Sequence, residues 1–267
     1  MKRLALGLCL AAAMSLTASC IIAYVDNPEY GPEGTAFSYR KSVPFTPGGT
    51  IALVNTNGNI RVSGWDEARV EVLAGEPGLS GGRFRFGGIG SLVPDIRLRL
   101  DEDRIKIQCP DEADRDSVYD FEIRVPRSIK IKGLRNGEGT IRVADVYGRL
   151  EVEAERGEVV VENFSGALDV SLEEGDVRVE VLDMRPEDEI RVEVGQGDIE
   201  LSLQEPVGAA IEIEAEDGAI TSEIELGQPL PAGKLEVKPE SANGRIVLKT
   251  GRGDVRIRRS SEPRRGA

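Results

Sequence analysis

Glycine recurs every nine residues through the middle of the chain, and this internal repeat restricts the possible folds more than any other feature. Each glycine opens a copy of the pattern Gly-x-apolar-x-apolar. Alternation of apolar and polar residues with a period of two predicts short β-strands, and a fixed repeat length predicts stacked structural units. The chain is therefore expected to be all-β. The five regular copies begin at Gly139, Gly148, Gly157, Gly166 and Gly175.

A second alternation indicates that two copies form one structural repeat. A large apolar residue fills the eighth position of the odd copies, as at Phe164, whereas the even copies place one at the seventh, as at Leu172. The full repeat is then two glycine intervals long and contains two strands. Later copies begin at Gly197, Gly218, Gly244 and Gly253, after longer spacers that are expected to form loops.

Short strands of this kind have to stack, because one strand of five residues cannot bury its apolar face alone. Stacking in register places Ile141 over Val159 over Val177, and Leu150 over Leu168 from the opposite wall. Glycine suits the corners between the strands because it tolerates positive φ and close backbone approach. The pattern predicts a parallel β-solenoid with two short strands in each rung of about eighteen residues.

The rest of the chain is divided by composition. Residues 131–258 are expected to hold the solenoid repeats, and residues 46–130, which have longer strands and irregular connections, to form an irregular β cap at the N-terminal end. Residues 21–45 show no sustained period and are expected to form a tether. Residues 259–267 are rich in arginine and are expected to form a basic, disordered tail.

The N-terminal segment 1–20 has the features of a lipoprotein-type signal peptide. A basic start at Lys2 and Arg3 precedes an apolar run from Leu4 to Leu16 and then small side chains up to Cys20. Leu16–Cys20 resembles a bacterial lipobox, although Leu and Thr occupy the positions four and three residues before the cysteine. We expect Cys20 to be acylated and to hold the protein in the cell envelope, on the outer or the cytoplasmic membrane. The alternative is ordinary cleavage, which leaves a periplasmic or secreted protein.

Cysteine usage predicts no disulfide within the mature chain. Cys9 leaves with the signal peptide and Cys20 is blocked by lipid, so Cys109 has no partner. A buried, inert thiol is expected there, because no histidine is available to activate it.

Composition excludes several classes of function. The chain has no histidine, which removes His-dependent catalytic triads and His-ligated zinc. Its net charge is −13, so nucleic acid is not an expected partner. Aromatic residues make up 4% of the chain, which leaves few candidates for the stacking platforms of a sugar-binding site.

Negative charge is concentrated in residues 150–226, which contain 24 Asp and Glu but 4 Lys and Arg. In the stacked arrangement, Glu151 lies beside Asp169, and Glu162 beside Glu180. These four residues form either a solvated face that resists aggregation or a low-affinity stripe for Ca²⁺ or a basic partner. No other cofactor is expected, and no catalytic residue is assigned.

Three segments together resemble a known family. They are residues 54–66 with Asn57-Gly58-Asn59, residues 121–126, and the glycine repeat that closes with residues 253–257. The chain is similar to the bacterial putative-adhesin family, domain of unknown function 4097, over about residues 46–258. The resemblance implies a β-solenoid displayed on the cell envelope, in some members within stress-response regulatory proteins. It implies no established catalytic residues.

The expected function is that of a non-catalytic envelope lipoprotein, an adhesin or interaction scaffold that binds protein or polysaccharide partners. One alternative is an envelope-stress regulatory module. Another is a β-helix enzyme that degrades polysaccharides, because a pair of carboxylates can perform that chemistry. Few arginine or lysine residues lie in residues 150–226 to neutralise a uronate substrate, which argues against the enzyme.

Overall fold

The computed structural model describes residues 29–30, 36–76, 96–101, 103–109, 118–204, 208–226, 233–239 and 244–260. These residues form twenty β-strands and no helix, which confirms the all-β prediction. Consequently, the described segments include no helix with the length and apolarity needed to span a bilayer. The strands are β1 Glu29–Tyr30, β2 Ala36–Pro44, β3 Thr50–Asn57, β4 Ile60–Trp65, β5 Arg69–Glu76, β6 Arg97–Asp101, β7 Arg104–Gln108, β8 Asp120–Pro126, β9 Ser128–Glu138, β10 Ile141–Ala144, β11 Tyr147–Arg156, β12 Val159–Glu174, β13 Val177–Asp183, β14 Glu189–Gln196, β15 Ile199–Leu203, β16 Ala210–Asp217, β17 Ile220–Ser222, β18 Lys234–Val237, β19 Arg245–Arg252 and β20 Val255–Arg259.

The strands form one mixed sheet that contains two parallel ladders. The first ladder runs β7, β3, β9, β11, the C-terminal half of β12, β14, β19 and β16. The second runs β8, β4, β10, the N-terminal half of β12, β13, β15, β20 and β17. Strand β12 belongs to both ladders, so it joins them into one continuous curled sheet.

The register of the regular repeats agrees with the prediction. Ile141 pairs with Val159, and Val159 with Val177, in the second ladder. Leu150 pairs with Leu168 in the first ladder. All five side chains are buried, because residues that alternate along a strand point to the same side of the sheet and here meet one aliphatic core.

The ladders extend into the region that was expected to form an irregular cap. Ile60 of β4 pairs in parallel with Ile141 of the first regular repeat, and also with Phe121 of β8. The expected boundary at residue 131 is therefore corrected, since β9 crosses it and pairs with β3 along its length. The long spacer between β5 and β6 interrupts the glycine period, so the sequence pattern did not predict this parallel pairing. The expected irregularity is present in β2, β5 and β6, which pair antiparallel.

The order of the strands differs from their order along the chain at both ends. At one end, β7 and β8 lie outside β3 and β4, although they follow them in sequence. At the other, β19 and β20 lie between β14–β15 and β16–β17, the last parallel pair of the ladders. The copies that begin at Gly197 and Gly218 are thus not stacked consecutively, because the copy that begins at Gly253 lies between them.

Two further boundaries differ from expectation. Residues 36–44, assigned to a tether, form β2 and pair antiparallel with β5. Burial of Phe37 and Val43 explains why this segment is held against the sheet. At the other end, Arg259 completes β20, and the amide of Ser260 donates to the carbonyl oxygen of Leu203. The expected tail therefore lies, from residue 261 onwards, outside the described residues, as do the signal peptide and Cys20.

Candidate functional site

The corner between the two ladders is built from a column of glycines. A Cβ atom on Gly157 would overlap the carbonyl oxygen of Gly139, and one on Gly175 would overlap that of Gly157. Gly157 also has a φ of +132°, which L-residues with side chains rarely adopt. The predicted corner role of these glycines is confirmed, and the close backbone approach brings successive rungs into direct contact.

The residue after the corner glycine ties neighbouring rungs together. Asp176 Oδ1 accepts a hydrogen bond of 2.9 Å from the amide of Asp198, and Asp198 Oδ1 accepts one of 2.8 Å from the amide of Asp254. At the other end of the second ladder, Asn59 Oδ1 accepts from the amide of Thr140 at 2.9 Å. These short polar side chains therefore satisfy corner amides, which is a more specific role than turn formation.

Two buried asparagines form a polar contact inside the first ladder. The Asn55 side-chain amide donates to Asn136 Oδ1 at 3.1 Å, and the Asn136 amide donates to the carbonyl oxygen of Gly58 at 2.9 Å. Cys109 Sγ lies 3.0 Å from Asn55 Oδ1 and donates to it. Sequence reasoning missed this cluster. The available signal was that Asn55 and Asn136 occupy inward positions of the alternation, where an aliphatic residue is expected.

Cys109 is the free thiol of the described chain. Burial raises its pKa from 9.0 to about 12, so the thiol stays protonated at neutral pH. This agrees with the predicted inert role and gives its cause, which is desolvation.

The outward face of the first ladder carries charges that mostly pair along or between strands. Arg149 contacts Glu151 at 2.6 Å, and Arg191 contacts both Glu189 at 2.8 Å and Glu193 at 3.2 Å. Exposed pairs of this kind contribute about 0–1 kcal/mol each. They lower the repulsion between the many carboxylates of the middle repeats.

Glu151 and Asp169, the first predicted pair, are register partners in neighbouring strands β11 and β12. The pKa of the Asp169 carboxyl is raised, chiefly by desolvation, with Arg191 opposing the shift and Glu151 adding to it. Glu151 is already bound by Arg149. The structure thus brings together two carboxylates, one of which has a cationic partner.

Glu162 and Glu180, the second predicted pair, are not register partners. The pairing of β12 with β13 shifts after Val161, where Asn163 adopts a φ of +51°. Glu162 contacts Arg142 at 3.5 Å, and Glu180 accepts from the Ser260 hydroxyl at 2.9 Å. Within the described ranges, no group of three or more Asp, Glu, Cys or His residues has the arrangement of a metal site.

A shallow groove of about 450 Å³ crosses the first ladder near the ends of β3, β9, β11 and β12. Its lining includes Val54, Ala154 and the buried residues Asn55 and Asn136. The lining also includes Glu155, Glu173 and the ion pair between Arg135 and Glu153, which is 2.8 Å long. No aromatic side chain lines this groove. It is a surface feature that crosses four rungs, so an elongated ligand suits it better than a small enclosed one.

The second ladder is closed by a buried carboxylate. Glu71 of β5 is 4% exposed and accepts two hydrogen bonds from Arg40 of β2, at 2.8 and 3.1 Å. Arg124 of β8 contacts its other oxygen at 3.3 Å. A buried carboxylate needs such partners. Glu71 therefore holds three neighbouring strands together at this end of the sheet.

A comparison with solved structures finds matches at low identity and low TM-score, among them the following three. A crystal structure described as a "putative cell adhesion protein" from Clostridium sporogenes is 14% identical, covers 83% of this chain and 99% of its own, and has a TM-score of 0.41. A "putative adhesin" from Bacteroides fragilis is 14% identical, with 82% and 95% covered and a TM-score of 0.35. A "putative lipid binding protein" from Parabacteroides distasonis is 9% identical, with 88% and 98% covered and a TM-score of 0.25.

No curated protein has a significant match to this chain. A protein family does match, over residues 128–261, which begin with β9 and include the regular glycine repeats. The matched part starts later than the resemblance over residues 46–258 suggested. It covers half of the chain and contains the glycine corner and the parallel strands that pair one repeat apart. The chain belongs to the Toastrack DUF4097 family.

Proposed function

We propose that this protein is a non-catalytic lipoprotein of the bacterial cell envelope, a β-solenoid scaffold whose outward sheet faces bind protein or polysaccharide partners. In this proposal each rung of the solenoid contains one strand of each ladder. Acylated Cys20 anchors the chain to the outer or the cytoplasmic membrane, and the folded part extends from it. The acidic and basic side chains of the faces select the partner.

The observation that supports this function most is the division between the two sides of the ladders. Inward columns are filled by aliphatic side chains such as Ile141, Val159 and Leu168, each at most 2% exposed. Outward columns carry charged side chains on seven of the eight parallel strands of the first ladder, the exception being β3. Seven spacings of about 4.8 Å make this face about 34 Å long. A continuous face of this kind suits an extended partner, whereas the interior leaves no room for a substrate.

The groove beside Asn55 and Asn136 also favours an extended ligand. Its lining combines polar side chains with the apolar Val54 and Ala154, and it includes the Arg135–Glu153 pair. Carboxylates are present in the groove, so the polysaccharide-degrading alternative has a specific location to test. Substituting Glu153 and Glu173 together by glutamine tests it: new reducing ends released by the wild type but not by this variant would favour the enzyme over the scaffold.

The anchor is tested by labelling. The wild-type chain is expected to incorporate radiolabelled palmitate and to sediment with membranes, whereas Cys20→Ala is expected to do neither. Cys9→Ala is the matched control, because Cys9 lies within the predicted signal peptide, and it is expected to label normally. Equal labelling of wild type and Cys20→Ala would contradict the anchor.

The scaffold function is tested by binding. The unlipidated Cys20→Ala chain is expected to bind isolated cell envelopes in a saturable way, in the absence of any membrane anchor. A chain that shows no saturable binding to envelopes would contradict the scaffold. The envelope-stress alternative would instead be favoured if deletion of the protein changed stress-gene expression while envelope binding was absent.

A further inference from the structure

Strand β3 carries a row of uncharged outward residues between two rows of cations. Thr50 has Arg104 of β7 on one side and Lys130 of β9 on the other. Ala52 has Lys106 on the β7 side, and on the β9 side it faces the bulge that contains Lys132. The uncharged row therefore forms a floor one strand wide, and the four basic side chains form its two walls.

The bulge in β9 is what places Lys132 at this wall. The register between β3 and β9 shifts between Ile51 and Leu53, and the register between β9 and β11 shifts at the same point. Gly133 supports the bulge with a φ of +78°. An extra residue in one strand redirects the neighbouring side chains. Lys132 is exposed as a result, although the regular pattern has no basic residue at this position in β11 or β12.

The four wall cations are exposed and form no ion pair with any described carboxylate: Arg104, Lys106, Lys130 and Lys132. Asp101 is the register partner of Arg104 in β6, yet no ion pair joins them. On the β6 side, Lys106 faces another cation, Arg99. The first ladder elsewhere pairs its cations, as Arg149 does with Glu151. The two walls therefore form one basic patch that differs from the rest of the first ladder.

This segregation is unexpected in a chain with a net charge of −13. Carboxylates are abundant in the chain. One or two acidic residues at outward positions of β3 or β7 would be enough to pair with these cations. Instead the outward residues of β3 between the walls are Thr50, Ala52 and Val54. Like charges in neighbouring strands repel each other. A bound polyanion would remove that repulsion and gain charge-assisted hydrogen bonds.

The dimensions favour one linear polymer. The two walls lie two strand spacings apart, which is about 9.6 Å, and the floor from Thr50 to Thr56 is about 20 Å long. A bilayer surface would be expected to meet large apolar or aromatic side chains, but the floor offers only Val54, which is 37% exposed. Single-stranded nucleic acid would require aromatic stacking partners, which the described floor and walls lack.

We propose that the basic channel over β3 binds a linear acidic polysaccharide, with its carboxylates held by Arg104, Lys106, Lys130 and Lys132 and its sugar rings lying over Thr50, Ala52 and Val54. This inference rests on the proposed scaffold function and names its ligand class. The polymer lies parallel to the strands and continues towards the groove at Asn55, where Arg135 follows Lys132 on the same side of β9.

Binding of polygalacturonate oligomers to the full-length Cys20→Ala chain tests the proposal. The matched ligand control is the same oligomer with its carboxyl groups methyl-esterified. The acidic oligomer is expected to bind, the ester is not, and added salt is expected to weaken the binding because it screens exposed charges. Equal binding of the two oligomers would overturn the proposal.

Two pairs of substitutions locate the site. Lys106→Gln with Lys130→Gln removes one cation from each wall and is expected to reduce affinity about tenfold. Lys238→Gln with Lys249→Gln removes the same charge at the far end of the first ladder and is expected to change affinity less than about twofold. Thermal unfolding of both variants checks that they are folded. Equal losses in the two variants would overturn the assignment to β3.

The outcomes separate this inference from the proposed function. Saturable envelope binding without any binding of polygalacturonate overturns the channel assignment and leaves the scaffold function standing. If the Cys20→Ala chain shows no saturable binding to envelopes, the scaffold function itself is contradicted. A third outcome is that the chain binds phosphatidylglycerol vesicles, that Lys106→Gln/Lys130→Gln abolishes this binding, and that the oligomer does not bind. This outcome would assign the basic patch to membrane binding and overturn the proposed polysaccharide ligand.

Discussion

The side-chain amide of Asn55 donates a hydrogen bond to Asn136 Oδ1 across 3.1 Å, and both side chains are 4% exposed. The contact joins β3, which precedes the family match, to β9, which begins it. Asn55 also donates to the carbonyl oxygen of Tyr119. The two asparagines therefore connect the outer rungs to the regular repeats through buried polar groups.

Truncating either asparagine is expected to destabilise the fold. Asn55→Ala leaves the Asn136 oxygen without this donor, and an unsatisfied buried group costs about 1–3 kcal/mol. The free energy of unfolding from denaturant titration is the measurement. In the double mutant, the coupling energy is expected to be at least about 0.5 kcal/mol. Exposed Thr56→Ala is the control, with an expected change below about 0.5 kcal/mol. Additive effects of the two asparagines would contradict the linkage.

Gly157→Ala is expected to prevent close stacking of the rungs. The added Cβ meets the carbonyl oxygen of Gly139, and the backbone φ of +132° is itself unfavourable for alanine. Gly133→Ala separates the two effects, because Gly133 has a φ of +78° but no atom within 4 Å of an added Cβ. The control is expected to cost about 1–2 kcal/mol. Gly157→Ala is expected to lower the melting temperature well beyond the control, and equal shifts would show that the overlap does not matter.

Glu71→Gln is expected to loosen β2 from the second ladder. The neutral amide cannot balance Arg40 and Arg124 as the carboxylate does, so the unfolding free energy is expected to fall by about 1–3 kcal/mol. Glu67→Gln is the matched control: its 2.7 Å pair with Arg69 is exposed, and the expected loss is below about 1 kcal/mol. Hydrogen exchange of the β2 amides should accelerate in Glu71→Gln. Unchanged exchange there would contradict the role of Glu71.

Cys109 is expected to react slowly in the folded chain. Because its pKa is raised to about 12, the thiolate is scarce at pH 8, and iodoacetamide should modify it rapidly only after unfolding. A chain with Cys9 and Cys20 replaced by serine isolates this thiol. Rapid labelling of the folded protein would contradict the raised pKa of the partly buried thiol.

The same shift predicts a pH dependence of stability. Folding holds the proton on Cys109, so the stabilisation is complete below pH 9 and is lost as pH rises from 9 towards 12. The difference in unfolding free energy between the wild type and Cys109→Ala is expected to fall by up to about 1.4 kcal/mol for each pH unit in that window. A difference that stays constant with pH would contradict this linkage.

Calcium is expected to leave the melting temperature unchanged at matched ionic strength. Glu151 is paired with Arg149, and Glu162 and Glu180 are held by separate partners, so the predicted stripe lacks the several oxygen ligands that Ca²⁺ requires. Melting in millimolar CaCl₂ is compared with melting in MgCl₂ at the same concentration. A stabilisation specific to Ca²⁺ would instead support the cation stripe.

Local periodicity was sufficient to predict the strands and the pairing of the regular repeats. Ile141, Val159 and Val177 each lie one full repeat apart, so any stack that buries them must place them in register. The corner glycines follow from the same argument, since no other residue fits where backbones touch. These features depend on residues in adjacent repeats, so the fixed period of the sequence is enough to predict them.

The stacking order of the outer strands depends on contacts that the repeat period of the sequence does not predict. Strands β19 and β20 enter between β14–β15 and β16–β17, and Ile246 pairs with both Ile190 and Ile211. Each of these strands has the same alternation, so the pattern alone permits several stacking orders. The long spacers remove the constraint of chain distance, and three-dimensional packing selects one order. The Asn55–Asn136 contact and the basic channel over β3 arise in the same way, because each combines residues that are far apart in the chain.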